Sequence, residues 1–297
     1  MASGFAPAGR SDPPHRSGEA ASADAADWLL RARRAAAAGP LAPRAALLLS
    51  GHDAPIGSIE PELAERLATA AMPIAPRAAA WVVAAPAQAS LAAIARWLHA
   101  QGVSRRWRDE LLPVRDIAGR ALASVERSVV RALGIPTSAA HLVGSTVDGR
   151  VWVQQRAFDK AIDPGAWDTL VGGLIGAGET TESALSRETM EEAGLALGAL
   201  RSLAHAGRIT VRRPVSDGYM VEVIDAWHAV VPDGLVPENR DGEVERFACL
   251  DAAVLEARLA GGEFTLEAAL ILGLLIEQGT IAGRTAEHRG ANPGAVD

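Results

Sequence analysis

The strongest constraint on this chain is a short acidic run, Glu188, Glu191 and Glu192, bounded by Thr180 and Gly194. The spacing predicts a helix over 181–193, with Thr180 as its N-cap and Gly194 as the left-handed residue that ends it. Positions i, i+3 and i+4 then place three carboxylates on one face, within reach of each other. Like charges so placed weaken a helix unless a cation sits among them. Hard carboxylate oxygens select magnesium, with manganese as the alternative, over zinc. A solvated acidic helix relieves its charges with Lys or Arg four residues away, yet the window 179–192 holds five glutamates and one basic residue, Arg187. Arg187 is placed to pair back to Glu179. The opposite face, Ala184, Leu185, Thr189 and Ala193, is small and mostly apolar and suits packing on a sheet. Upstream, Gly172 and Gly173 read as opening a loop whose backbone turns closely enough for a carbonyl to join a metal shell.

Gly173, five residues, Glu179, seven residues, then Arg187-Glu188-Thr189-Met190-Glu191-Glu192-Ala193-Gly194-Leu195 resembles the signature of the Nudix hydrolases. All seven fixed letters are present, and at about one chance in ten per letter the joint probability is on the order of 10⁻⁷. Only Thr189 departs, at a position that is usually apolar. The resemblance implies an α/β fold, a Nudix α/β/α sandwich with a mixed sheet, in which Glu188, Glu191, Glu192 and the Gly172 carbonyl hold Mg2+ or Mn2+. It also implies a downstream glutamate as ligand or base, for which Glu243 and Glu245 both qualify, and it makes Arg187 part of the catalytic set.

The likeness continues through 107–114, Arg156 to Lys160, 241–244 and 262–264, covering roughly 27–280. There it is to a subfamily with a small extra N-terminal domain, similar to the Nudix domain fused to fungal thiamine pyrophosphokinase. This implies hydrolysis of thiamine diphosphate, and more readily of its damaged oxo and oxy forms, to the monophosphate plus phosphate. Arg156 and Lys160 then become candidates to clamp the terminal phosphate, beside their plainer reading as surface charges. Trp107 or Trp167 would stack on the substrate ring, beside the plainer reading of core packing. Competing expectations are a pyrophosphatase for a nucleoside diphosphate derivative such as ADP-ribose, and a ligand sensor without turnover. The sensor should have lost a metal glutamate, and none is lost. Isoprenoid diphosphate isomerisation would need a cysteine that Cys249, far on the C-terminal side, does not supply.

The remaining sequence divides at Gly134-Ile135-Pro136 into a small α+β N-terminal domain, 27–134, and the Nudix domain, 135–282, with flexible tails at 1–26 and 283–297. Helices are expected over 27–34, 61–70, 90–101, 117–134, 251–259 and 266–278, with 107–114 at a helix end. Strands are expected over 45–49, 141–146, 151–156, 167–171, 202–211 and 220–231, with turns at 57–61 and 148–149. The formal charge of −7 argues against a nucleic-acid or anionic-membrane partner and leaves a small-molecule diphosphate; a homodimer is compatible with it. A single cysteine excludes an internal disulfide framework and suits the cytoplasm, and the apolar stretch 78–85 is too short to span a bilayer.

Overall fold

The computed structural model describes residues 27–104, 106–160 and 162–283. Both segments read as tails therefore lie outside the described residues, Gly283 excepted. In chain order the elements begin with α1 (Trp28–Ala35), β1 (Ala45–Leu49), β2 (Gly57–Ile59), α2 (Pro61–Thr69), β3 (Ile74–Arg77), β4 (Ala80–Val83) and α3 (Ala87–Ala100). Next come β5 (Leu111–Arg115), β6 (Ala121–Glu126), β7 (Thr137–Ser145), β8 (Val151–Arg156), β9 (Trp167–Asp168), β10 (Val171–Leu174) and α4 (Thr181–Ala193). The chain closes with β11 (Arg201–Val215), β12 (Gly218–Val230), β13 (Val244–Leu250), α5 (Ala252–Ala260) and α6 (Leu266–Glu277).

The N-terminal unit is a four-stranded sheet in the order β2-β1-β4-β3, with β1 and β4 parallel, and a β5-β6 ribbon beside α3. Alternate apolar residues such as Leu47 and Leu49 meet Leu91, Ile94 and Leu98 of α3 in one core. Three expectations fail here. Residues 57–59 are a strand on β1, not a turn. Residues 107–114 lead into a strand, and 117–134 contains β6 where a helix was expected. Local alanine favours helix, but Asp116 accepts the Ala118 and Arg120 N–H groups at 3.0 and 2.9 Å and turns the chain, so that Leu112 pairs with Val125.

The second unit is built around β7, which is apolar on both faces: Ala139 and Val143 enter one core, Ala140 and Leu142 another. The sheet order is β11-β12-β7-β8-β13, with β10 on β7 and β9 on β8; β12 runs parallel to β7 and the other pairs are antiparallel. Helix α4 covers one face, and α6, α5 and α1 share the core on the other, giving an α/β sandwich with a mixed sheet. Strand β13 was not expected, and Gly172-Gly173 lies in strand β10 rather than in a loop.

Helix α1 was grouped with the N-terminal domain, but it packs on α6. Trp28, Leu29 and Ala32 are buried there, and a Cβ at Gly273 would sit 2.5 Å from Leu29, so the glycine permits the close approach. No helix among the described residues is long and apolar enough to cross a membrane.

Candidate active site

Helix α4 starts and stops where its own side chains dictate. The Thr180 hydroxyl accepts the Ser183 N–H at 3.1 Å, the Ser183 hydroxyl accepts the Thr180 N–H at 2.9 Å, and Gly194 ends the helix at φ 64°. Ala184, Leu185 and Ala193 are buried against the sheet. Thr189 is buried with them and donates its hydroxyl to the Leu185 carbonyl at 2.6 Å, so it spends its polarity within the helix.

On the other face, Arg187 is the hub. Its Nε and Nη2 donate to Glu179 at 2.7 and 2.9 Å, and its Nη1 donates to Glu188 Oε1 at 2.8 Å and Glu191 Oε2 at 3.0 Å. Nη2 also reaches the Leu174 carbonyl at 3.2 Å, and Glu179 accepts the Gly176 N–H at 2.7 Å. One guanidinium thus ties strand, loop and helix together. The hydrogen bond to Glu179 is the main cause that raises the Arg187 pKa, and the same contact lowers that of Glu179.

Glu192 lies deeper. Its Oε2 accepts the Gly172 N–H at 3.0 Å and Gln154 Nε2 at 3.1 Å. Burial pushes its carboxyl up to about 8, with the Glu188 and Asp168 charges adding and those two hydrogen bonds opposing. Burial likewise raises Glu188, against the pull of Arg187.

The glycine pair makes room for these groups. A Cβ at Gly173 would stand 2.0 Å from the Glu188 carboxyl, and one at Gly172 would stand 2.4 Å from the His141 ring. The alternation of β10 thus sends one vacant direction to each face of the sheet.

Among the described residues no three His, Cys, Asp or Glu side chains converge into a ready-made metal cage, because Arg187 stands between Glu188 and Glu191. The donor chemistry still fits a hard divalent cation. Glu188, Glu191 and Glu192 are each fixed through one oxygen, while Glu188 Oε2, Glu191 Oε1 and Glu192 Oε1 have no hydrogen-bond partner among the described residues. Beside Glu192, the buried Gln154 Oε1 also lacks a donor. A cation would offset the burial cost that raises Glu188 and Glu192.

The two downstream glutamates separate. Glu243 pairs with Lys160, and its charge reaches Glu188; burial raises its carboxyl, but Lys160, Arg127 and Arg156 outweigh this and hold it below the usual range. Glu245 sits exposed at a register shift of β13, with no hydrogen-bond or ion-pair partner among the described residues.

The structure gives other work to the expected substrate groups. Arg156 donates to the Ile162 carbonyl at 3.3 and 3.2 Å and pairs with Asp168 at 3.3 Å, so its guanidinium ties Ile162 to β9 instead of standing free for a phosphate. Trp107 donates its Nε1–H to Asp109 at 2.7 Å and tilts against His99 beside the N-terminal core. Trp167 is buried under Arg258 and Arg246, at 4.5 and 5.3 Å from its ring. Cys249 is half-buried on β13 beside Trp152.

Sequence reasoning missed Gln154, Asp168 and the buried His141, whose Nδ1 lies 3.0 Å from the Thr169 hydroxyl. The one local signal was a glutamine in an apolar strand.

Residues 136–268 match the NUDIX domain model. The chain is 27% identical over 168 residues to Nudix hydrolase 20, chloroplastic, of Arabidopsis thaliana, covering 55% of this chain and 45% of that protein. It is 28% identical over 193 residues to the uncharacterized protein YJR142W of Saccharomyces cerevisiae, covering 59% and 56% respectively. The uncharacterized Nudix hydrolase PA4841 of Pseudomonas aeruginosa is 34% identical over 92 residues, covering 31% of this chain and 54% of that protein. The chain thus spans about half the length of the curated relatives it matches. Among solved structures, DR0079 from Deinococcus radiodurans is similar at a TM-score of 0.46 and 22% identity, covering 56% of this chain and 99% of that one.

Proposed function

We propose that the chain, which matches the NUDIX domain model over residues 136–268, is a metal-dependent diphosphate hydrolase acting on thiamine diphosphate and its oxo and oxy derivatives. The observation that carries the hydrolase reading is the arrangement on α4, where three carboxylates are each fixed through one oxygen and keep the other unpartnered. Glu188, Glu191 and Glu192, with the Gly172 carbonyl, are the groups that would hold magnesium or manganese. Such an ion, when bound, polarises a diphosphate and lowers the pKa of a water.

The protein's own residues do the positioning. Arg187 orients Glu188 and Glu191, and Gly172 N–H and Gln154 orient Glu192. Glu243 is the candidate base, because Lys160 keeps it ionised and its charge is felt at Glu188, whereas Glu245 has no such neighbour. The thiamine reading rests on the sequence resemblance outside the glutamate segment.

A chromatographic product screen with magnesium or manganese, across thiamine diphosphate, its oxo and oxy forms, ADP-ribose and dinucleotide polyphosphates, tests both levels. Monophosphate plus phosphate from the thiamine compounds is expected. ADP-ribose cleaved orders of magnitude faster would overturn the substrate and leave the chemistry. The double variant Glu191→Gln/Glu192→Gln should lose turnover by at least about 10³-fold with its melting curve intact; unchanged turnover would overturn the metal site.

A further inference from the structure

Between the two units lies a cavity of about 490 Å³, lined by residues of both and within the usual size of a small-molecule site. Leu174 of β10 forms part of its wall, two residues on from Gly172, about 7 Å along the strand. The Leu174 carbonyl is also the one that Arg187 reaches, so cavity and glutamate cluster share this residue.

Four arginines, Arg106, Arg108, Arg127 and Arg131, line the cavity against two carboxylates, Asp217 and Glu222. Both carboxylates are engaged: Asp217 faces Arg131 at 3.4 Å, and Glu222 accepts the Thr137 hydroxyl at 3.1 Å. Arg127 pairs with Glu110 at 2.6 Å. Arginine is the common base of this chain, so abundance carries nothing. What singles out Arg106 and Arg108 is that their guanidinium groups have no hydrogen-bond or ion-pair partner among the described residues; at longer range Arg127 and Arg106 repel Arg108, and Glu110 and Glu243 attract it.

A second, independent observation comes from the same wall. The Ser104 and Ser128 hydroxyl oxygens are buried without a partner, and Ser104 is only 4% exposed. A buried hydroxyl left unpaired costs about 1–3 kcal/mol. Unpaired guanidinium groups beside unpaired hydroxyls form a donor set that matches a phosphate oxyanion.

We propose that this cavity is a phosphoryl-group site, in which Arg106 and Arg108 face the oxyanion and the Ser104 and Ser128 hydroxyls, closed to solvent here, rotate about χ1 to donate to it. This deepens the hydrolase reading and rests on it in one respect: the N-terminal unit would hold the terminal phosphoryl group of the diphosphate that is cleaved. The same chemistry would also take free phosphate as an effector.

The test uses inorganic phosphate as probe, titrated by calorimetry into the metal-free full chain in chelator. Saturable binding is expected, at least tenfold weaker in Arg108→Gln, partly restored in Arg108→Lys and several-fold weaker in Ser104→Ala, all with wild-type melting temperatures. No binding by the wild type, or equal binding by Arg108→Gln, overturns the site. Steady-state kinetics assign the source. Phosphate and Arg108→Gln both raising KM place the substrate's own phosphoryl group there, whereas phosphate changing kcat at constant KM makes it an effector. Because binding is read without turnover, a chain that binds phosphate and hydrolyses no diphosphate sinks the hydrolase reading alone, and the converse sinks the cavity alone.

Discussion

Gly173 is confined to glycine by the Glu188 carboxyl, which lies 2.0 Å from where a Cβ would be. Gly173→Ala should therefore displace that carboxyl, and a shift near 1 Å lowers kcat by about 10²-fold; kinetics with unchanged far-UV circular dichroism checks it. Outside the cluster, Glu267 is a buried acid with a different consequence. Burial pushes its carboxyl up to about 7, with Glu222 and Asp168 adding and Arg213, 3.3 Å away, opposing. Between the ordinary value of 4.5 and about 7 the unfolded chain has lost this proton and the folded chain keeps it. Stability should thus fall as pH rises through that window and level off above it, by about 3 kcal/mol in full. Urea titrations at pH 5, 6 and 7.5 should show a steeper fall in the wild type than in Glu267→Gln, where the contribution of Glu192 remains; an equal slope in both would refute the assignment.

Helix α4 is where sequence and structure agree best, and the reason is local. Its N-cap, its terminal glycine and its i, i+3, i+4 glutamates are all set by neighbours within one or two turns. Thr180→Ala removes the acceptor for the Ser183 N–H and should cost about 1 kcal/mol in denaturant unfolding. The Arg187–Glu179 pair was legible for the same reason, although it crosses from loop to helix. Strand β10 was not, because two glycines read as a loop until β7 supplies partners for Gly172 and Gly173. Strand β13 hides behind the charges of Glu245 and Arg246, and β6 behind an alanine-rich run that only the β5 pairing makes extended. Gln154 and Asp168 belong to the site through cross-strand pairing between β8 and β9, at a sequence distance no periodicity encodes. Arg156 and Trp107 show the opposite case: their chemistry suits a substrate, and the structure adds contacts that the sequence does not reveal, Asp168 and Ile162 on the Arg156 guanidinium and Asp109 on the Trp107 N–H.

At the scale of the molecule, the β2 edge is joined to the segment that leads into β7 by backbone and by one arginine. Arg44, whose side chain is 5% exposed, donates to the Ser58 and Ala132 carbonyls at 2.6 and 2.7 Å and to Glu60 at 3.2 Å. Arg44→Ala leaves the Ser58 and Ala132 carbonyls without this donor and should cost about 2 kcal/mol in chemical denaturation. Backbone closeness does the rest: a Cβ at Gly218 would lie 2.3 Å from the Arg131 carbonyl, and the Tyr219 N–H donates to that carbonyl at 3.0 Å. Leu174 packs against the core of the N-terminal unit and against that of the sheet. A side chain that completes two cores makes each a cofactor of the other's cooperativity. Calorimetry should accordingly record one endotherm for the whole chain, and whatever fills the cavity beside Leu174 should raise the melting of both halves at once.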